Sequence, residues 1–416
     1  MSEEQVFRSV TCLGCGCGCD DLEVRVREGR IVALAPPCPV ATRWFGDGLA
    51  PAEIRVGASP ATLTEAIDAA ASLLVGASRP MVLLGPDLTT RAQRTAIALA
   101  DALRAEVDGA TSDTAASGIL AAQRRGRAGA TLGEIRNRAD VVLFWAVDPR
   151  ERYPRFLERY AAASRATHAA SRVHLSVSVG PDRAPARADL AAELVPDLEL
   201  EALSVMRAVA RGQTLAGVAD ALAPVVAIAE RLRQGRYVAV VYDAEPGRRP
   251  PDDQRAEALI ALAQILNGPT RAVVAGLRAG GNRSGAEAAL TWQTGYPMRV
   301  TLRDGHPRYR ADRSGVDRLR SGSADAVLVA GAAASLGALP LESVPGVVIG
   351  PGASAVAGAR VAIDTGVAGI HEPGTGYRLD DVPLPLRPVL EHARAAGETL
   401  ELLRQAIRRR AAGAAR

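Results

Sequence analysis

Short apolar runs alternate with amphipathic segments along most of this 416-residue chain. The run at 139–147, ADVVLFWAV, has the continuous apolar character of a strand that is buried on both faces of a parallel sheet. Further strands are predicted at 80–84, 173–179, 237–242, 273–275, 326–330, 347–349 and 361–363. Helices are predicted between them, most clearly at 91–103 and 253–266, and Ser59-Pro60 predicts the start of an earlier one. The alternation predicts doubly wound α/β domains.

Turns rich in glycine and proline follow four of these strands. They read Gly85-Pro86-Asp87, Asp148-Pro149-Arg150, Gly180-Pro181-Asp182 and Gly350-Pro351-Gly352. A turn of this kind before a helix can hold the phosphates of a dinucleotide, and each can equally be a plain turn. The sequence has neither a G-x-G-x-x-G motif nor a P-loop, so no nicotinamide or ATP site is predicted.

Four of the five cysteines form the pattern Cys12-x2-Cys15-x3-Cys19-x18-Cys38. Thiolates on one tight loop, with a fourth delivered by the hairpin predicted at 22–34, can surround an iron–sulfur cubane or a zinc ion. Cys17 lies inside the same run and is a fifth candidate ligand. The alternative is a disulfide or a set of thiols without metal. The pattern predicts a metal site, but it does not select the metal.

The charge balance argues against nucleic acid as a partner. All 50 basic residues are arginine, and 46 acidic residues reduce the net charge to +4. The stretches at 326–341 and 343–359 carry no charge, but they are shorter than a bilayer span and are broken by glycine and proline. The first ten residues include acids and no apolar core of a signal peptide, so we expect a soluble cytoplasmic protein. Reduced thiols in that compartment favour metal over disulfides.

A series of short phrases, in the same order over nearly the whole chain, resembles the B-subunit of formylmethanofuran dehydrogenase, a molybdopterin oxidoreductase. The phrases are Cys12-x2-Cys15-x3-Cys19-Asp20-Asp21, Asp113-Thr114-Ala115, Asn137-Arg138-Ala139-Asp140-Val141-Val142, Asp148-Pro149, Thr291-Trp292, Gly295-Tyr296-Pro297, Pro307-Arg308-Tyr309 and Gly374-Thr375-Gly376-Tyr377-Arg378. The resemblance implies an α/β fold of the molybdopterin-oxidoreductase type, with a small N-terminal cysteine-rich cap and two doubly wound α/β domains. It places the cap at 1–56, the first α/β domain at 57–150 and 325–390, an inserted second domain at 151–324 and a C-terminal helix at 391–416.

The resemblance also implies which residues served the cofactors. Cys12, Cys15, Cys19 and Cys38 correspond to the ligands of a [4Fe–4S] cluster, whose retention is left open. Arg278 corresponds to a residue of the active site and is expected to be vestigial. The vestigial candidates for the pterin cleft are Asn282, Gly285, Gly374 and Gly376.

Three departures from the family pattern bear on catalysis. The family holds tungsten or molybdenum through a cysteine followed by histidine, shortly after the phrase at 113–115, whereas 113–134 contains neither residue. Ser117 is a conceivable oxygen ligand. A histidine expected between Arg278 and Asn282 is replaced by glycine near Gly280, and the lysine between cluster and pterin is missing from a chain without lysine. We therefore expect no tungsten or molybdenum pterin and no catalytic residue, because formate redox chemistry needs a soft metal ligand, an acid or base and an electron path.

A degenerate B-subunit of this kind occurs in the formyltransferase/hydrolase complex of tetrahydromethanopterin-linked one-carbon metabolism in methylotrophs. The resemblance implies a non-catalytic scaffold with three partners: a zinc amidohydrolase-type subunit, a formyltransferase subunit and a β-helical subunit. Two alternatives stay open, namely an active tungsten or molybdenum formylmethanofuran dehydrogenase and an iron–sulfur electron-transfer module. Trp292 and Tyr296 are predicted to pack in the core, because the chain has only 14 aromatic residues.

Overall fold

The computed structural model describes residues 4–114, 116–162, 171–245 and 252–414. These residues divide into two compact units. Unit 1 comprises Met1–Gly14, Gly18–Asp113 and Gly280–Arg416, and unit 2 comprises Cys15–Cys17 and Thr114–Ala279.

The strands and helices of the described ranges follow the α/β alternation. The strands are β1 (Gln5–Val10), β2 (Leu22–Arg27), β3 (Arg30–Ala35), β4 (Ile54–Val56), β5 (Ser59–Pro60), β6 (Pro80–Leu84), β7 (Glu106–Gly109), β8 (Val141–Trp145), β9 (Val173–Val179), β10 (Leu190–Leu194), β11 (Tyr237–Asp243), β12 (Arg271–Leu277), β13 (Val300–Thr301), β14 (Arg308–Tyr309), β15 (Ala326–Ala330), β16 (Gly346–Gly350), β17 (Ala359–Asp364), β18 (Gly374–Tyr377) and β19 (Pro383–Leu386). The α-helices are α1 (Pro39–Phe45), α2 (Leu63–Val75), α3 (Thr90–Ala102), α4 (Thr111–Thr114), α5 (Ala116–Arg125), α6 (Leu132–Arg138), α7 (Pro149–Arg152), α8 (Glu199–Ala210), α9 (Ala223–Arg233), α10 (Asp252–Leu266), α11 (Arg283–Thr294), α12 (Gly315–Arg320) and α13 (Ala396–Ala414).

Unit 1 is built on a nine-stranded sheet with the order β14-β13-β7-β6-β15-β16-β17-β4-β5. Its five central strands are parallel, and the edge strands run antiparallel. One face packs its apolar side chains against α2, α3, α11 and α13, and the other packs against α12. The strand order reverses between β6 and β15, which makes the carboxyl ends of these two strands the expected ligand position.

Two small sheets complete unit 1. The antiparallel sheet β1-β2-β3 contains the predicted hairpin, and β18 pairs with β19. Cys38 follows β3 and directly precedes α1. The cysteine loop is thus joined to short antiparallel strands rather than to the large parallel sheet.

Unit 2 contains a five-stranded parallel sheet with the order β10-β9-β8-β11-β12. Its core is formed with α8, α9 and α10, and α5 also packs on α10. The strand order reverses between β8 and β11. The α/β fold class predicted from the sequence is confirmed by the parallel strands at the centre of both sheets and their covering helices.

The structure divides the chain at other positions than those predicted. β8 was assigned to the first domain, yet it pairs with β9 and β11 in unit 2. β13 was assigned to the inserted domain, yet it pairs with β7 in unit 1. The predicted cap at 1–56 is not a separate unit, and the helix predicted at 391–416 packs on α2 and α3 as α13. An apolar strand fits either sheet equally well, so its own sequence does not select the partner.

No α-helix in the part of the chain that the structure describes combines the length and the apolar character needed to span a bilayer.

Candidate cofactor site

Three of the four predicted cluster ligands, Cys12, Cys19 and Cys38, lie in unit 1 and are buried. The N–H of Cys12 donates to the carbonyl oxygen of Cys19 at 2.7 Å and closes the cysteine loop. The N–H of Gly14 donates to Sγ of Cys12 at 3.3 Å. Hydrogen bonds of this kind tune the sulfur ligands of clusters. The burial and the N–H donor therefore suit these thiols to a role as ligands.

The fourth predicted ligand, Cys15, belongs to unit 2 together with Cys17. Cys15 forms an isolated antiparallel bridge with Ala279. A hydrogen bond with the side chain of Cys17 lowers the pKa of the Cys15 thiol, and the positive charge of Arg155 lowers it further. The thiol next to Cys15 in unit 2 is therefore Cys17, which the sequence pattern placed outside the four-cysteine set.

The cysteine thiols are chemically suited to hold a cluster, but they are not arranged as a ready ligand set. No disulfide involves any of the five cysteines, all of which lie in the described ranges. Within those ranges, no group of three or more His, Cys, Asp or Glu side chains is placed so that it could hold a metal ion. Cysteine thiolates are the usual ligands of iron–sulfur clusters and zinc, but here the cage is not preformed. The cluster remains a prediction.

Arg278 directly follows β12 and is buried in unit 2. Burial raises the pKa of Tyr242 to about 12, while the positive charges of Arg127 and Arg278 act in the opposite direction. Because Leu277 is paired with Asp243, the backbone of Arg278 lies just beyond the end of β11. Within 113–134, the described residues 113–114, 116–125 and 132–134 are helical, and Ser117 is half-buried in α5. The sequence of this stretch offers neither cysteine nor histidine.

Asn282, one of the predicted cleft residues, is completely buried and connects three elements of unit 1. Its amide nitrogen donates to the carbonyl oxygen of Leu88 and to Oγ1 of Thr90, both at 3.0 Å. Its Oδ1 accepts the N–H of Tyr377 at 2.7 Å. A Cβ atom on Gly285 would lie 2.1 Å from that same Oδ1. Asn282 therefore ties the start of α11 to α3 and β18, and glycine at 285 makes room for it.

The other two predicted cleft residues are also in close contact with side chains of unit 1. A Cβ atom on Gly374 would lie 2.9 Å from Cγ2 of Thr89, and one on Gly376 would lie 3.2 Å from Cδ2 of Leu13. Packing explains these glycines without a ligand. Whether they also line a vestigial pterin cleft remains a prediction.

The turn Gly85-Pro86-Asp87 lies at the point where the order of the unit 1 sheet reverses. Asp87 is buried, and its Oδ1 accepts the N–H of Ala332 at 2.8 Å, just beyond β15. Burial raises the pKa of Asp87. A Cβ atom on Gly85 would lie 3.0 Å from Cα of Gly331, and one on Gly350 would lie 2.3 Å from the carbonyl carbon of Gly331. A buried carboxyl group and tightly packed backbone make this turn unsuitable for phosphate.

In the two predicted turns of unit 2, the polar side chains bind other groups of the protein. Oδ1 of Asp148 accepts the N–H of Arg150 at 3.0 Å, and the two side chains form an ion pair. Asp182 forms an ion pair with Arg255 at 3.2 Å. Both turns are therefore stabilised by protein groups and need no ligand to explain them.

A polar cluster that sequence reasoning missed lies at the strand-order reversal of unit 2. Arg152 forms ion pairs with Asp243 at 2.5 Å and with Glu245 at 2.9 Å. The hydroxyl group of Tyr153 donates to Asp243 at 3.2 Å. Burial raises the pKa of Asp243, against the charge of Arg152. The sequence signal that could have identified this cluster was position: Arg152 and Tyr153 follow β8, and Asp243 ends β11.

Comparison with known proteins identifies relatives that match nearly the whole chain. No protein-family model matches it. It is 29% identical to the B-subunit of the tungsten-containing formylmethanofuran dehydrogenase 2 of Methanocaldococcus jannaschii over 434 residues, covering 97% of this chain and 98% of the relative. The same-named protein of Methanococcus maripaludis is 27% identical over 436 residues, covering 97% and 99%.

A third relative is the B-subunit of the formyltransferase/hydrolase complex Fhc of Methylorubrum extorquens. It is 31% identical over 269 residues, which cover 64% of this chain and 71% of the relative. The chain belongs to the Fhc B-subunit family. The resemblance to the formylmethanofuran dehydrogenase B-subunit and its degenerate form is thus confirmed.

A solved structure also matches this member of the Fhc B-subunit family. It is the crystal structure of the formyltransferase/hydrolase complex (FhcABCD) of M. extorquens with methylofuran. The TM-score is 0.72 at 24% identity, and the match covers 86% of this chain and 99% of the other. This likeness establishes a common fold.

Proposed function

We propose that this chain is the B-subunit of a formyltransferase/hydrolase complex and acts there as a scaffold. Its partners would be a zinc amidohydrolase-type subunit, a formyltransferase subunit and a β-helical subunit, in the cytoplasm. Membership of the Fhc B-subunit family carries the proposal. At both positions where the strand order reverses, groups of the protein itself fill the place expected for a ligand, which supports a structural role.

The proposal includes a finer assignment of the fold. The chain would have the molybdopterin-oxidoreductase architecture, with the sheet β1-β2-β3 and the cysteine loop as a degenerate iron–sulfur region. One parallel and one mixed sheet, each with one reversal in the order of its parallel strands, support this assignment. A pterin would be expected at such reversals in an active relative.

The chemistry of the side chains argues against redox catalysis by this chain. Tungsten or molybdenum turnover needs a soft ligand, and 113–134 has neither cysteine nor histidine. The chain contains no lysine to occupy the position between cluster and pterin. Hydrolysis and transfer of the formyl group would therefore belong to the partner subunits.

Substituting Arg278→Ala should leave formyl transfer and hydrolysis by the assembled complex nearly unchanged, because Arg278 has no reacting atoms to act on. Omitting the whole chain should lower both activities through loss of assembly. Activity assays on the complexes, with size-exclusion chromatography to verify assembly, measure both effects. A large fall in turnover for Arg278→Ala in an intact complex would show that this chain takes part in the chemistry.

A second candidate function is an active tungsten formylmethanofuran dehydrogenase. The match over 97% of the chain to two relatives with that name favours it. Elemental analysis of the purified complex separates the two candidates, since the dehydrogenase would contain tungsten or molybdenum. It would also reduce a dye in the presence of formate. An electron-transfer module would contain iron and sulfide alone.

Anaerobic reconstitution with iron and sulfide is expected to load a [4Fe–4S] cluster on Cys12, Cys15, Cys19 and Cys38, visible as broad charge-transfer absorption. Cys19→Ser should abolish that absorption. Cys17→Ser is the matched control, because it removes a thiol of the same loop that is outside the predicted set. A reconstituted protein without bound iron would show that the cysteine loop is vestigial. Absorption lost with Cys17→Ser would assign a different ligand set.

A further inference from the structure

Trp292 lies in the last turn of α11 with 57% of its surface exposed, so the prediction that it packs in the core is wrong. Tyr296 does pack against the core of unit 1, as predicted. The ring of Trp292 contacts that of Tyr377 edge to face, with centroids 5.9 Å apart. An indole left in water forgoes a large gain from burial. Contact with another molecule would account for the exposure of this indole.

The backbone beneath the two rings is held in place. Gly295 ends α11 in a left-handed conformation with φ of 84°. The side chain of Gln293 donates to the carbonyl oxygen of Arg94 at 3.3 Å. The N–H of Tyr377 is bound by the buried Asn282. The ring pair is therefore presented in a fixed geometry, and binding through it would cost little ordering entropy.

Two exposed arginines lie on α3, the helix that packs against the elements carrying this ring pair. Arg91 and Arg94 are three residues apart and so share one face of the helix. α3 contacts both α11 and β18, which carry the two rings. Within the described ranges, neither Arg91 nor Arg94 forms an ion pair, although 46 acidic residues are present in the chain.

We propose that Trp292, Tyr377, Arg91 and Arg94 form a docking surface for another protein subunit of the complex. This inference rests on the proposed function. Tryptophan, tyrosine and arginine are the residue types that dominate the energetics of protein interfaces. The partner surface would have an apolar recess for the indole, and carboxylates beside it would pair with the two guanidinium groups.

The test uses the full chain and the other three Fhc-type subunits of the same organism, each purified separately and then mixed. Their affinity for the wild-type chain is compared with that for Trp292→Ala and for Arg91→Ala/Arg94→Ala. The tryptophan variant should bind about 10- to 100-fold more weakly. The double arginine variant should bind more weakly and with reduced salt dependence. Leu402→Ala is the control, because Leu402 is also apolar and exposed, at 42%, but lies on α13.

Fluorescence gives a second readout that does not depend on stability. Acrylamide should quench Trp292 in the free chain, with Trp292→Phe identifying its signal, and the added subunits should protect it. Unchanged affinity of Trp292→Ala, or an indole still quenched in the complex, would overturn the docking surface while the proposed function stands. Wild-type chain that binds none of the other subunits would overturn both. If the chain alone self-associates and Trp292→Ala abolishes this self-association, the surface binds a second copy of the chain. That result would overturn its assignment to another subunit.

Discussion

Replacement of Asn282 by alanine is expected to lower the free energy of unfolding by about 3 kcal/mol, because each buried polar group left without a partner costs about 1–3 kcal/mol. The variant strands the N–H of Tyr377 and removes the donor to the carbonyl oxygen of Leu88. It also opens space at the start of α11, next to Gly285. Urea unfolding followed by circular dichroism measures the loss, and hydrogen exchange should be faster along β18.

The matched control is Gln234→Ala. Gln234 carries an amide as well, but it is exposed at the end of α9. Its substitution should change stability by less than about 0.5 kcal/mol. Equal stability of the two variants would show that the hydrogen bonds of Asn282 contribute nothing to the fold.

Removal of the carboxylate of Glu199 should destabilise unit 2 by about 3–5 kcal/mol, since it takes away the buried partner of a buried charge. Glu199 and Arg255 are both buried, and two hydrogen bonds of 2.5 and 3.0 Å join them. The indole N–H of Trp145 also donates to Glu199, at 2.7 Å. Glu199→Ala therefore removes the buried partner of the Arg255 guanidinium group, whose ion pair with the more exposed Asp182 remains, and it strands an indole N–H. Thermal unfolding should report a clearly lower midpoint.

Two further variants decide whether the charge is the cause. Glu193→Ala removes an exposed partner of Arg183, at 80% and 60% side-chain exposure, and should cost at most about 1 kcal/mol. Adding Arg255→Met to Glu199→Ala should recover part of the loss, because an apolar chain replaces a buried cation that has lost its buried partner. No recovery in the double variant would contradict a cost that arises from the buried charge.

The strands that could be predicted are those whose own residues determine them. β6, β9 and β15 have the bounds predicted from their apolar runs. β7, with the sequence EVDG, escaped prediction because half of its residues are acidic. The start of α2 was misplaced: Thr62 and Glu65 form a capping box, whereas Ser59-Pro60 forms β5. A serine followed by proline is a weaker signal than a reciprocal cap.

The candidate site was less predictable, because its geometry depends on contacts between residues remote in sequence. The resemblance drew attention to Asn282, but its partners Leu88 and Tyr377 lie on other elements. Nothing in the cysteine spacing indicated that Cys15 would contact Cys17. The exposure of Trp292 contradicts the expectation that the few aromatic residues of the chain pack in its core.

The membership of Cys15–Cys17 in unit 2 has a consequence for the order of events during synthesis. These residues emerge from the ribosome early, whereas Ala279, which bridges Cys15, emerges only after the rest of unit 2. Domains fold broadly as they are made, and contacts between distant residues form late. Cys15, which is half-buried in the folded chain, is therefore without this bridge for most of translation, and the bridge forms only when the last strand of unit 2 is complete.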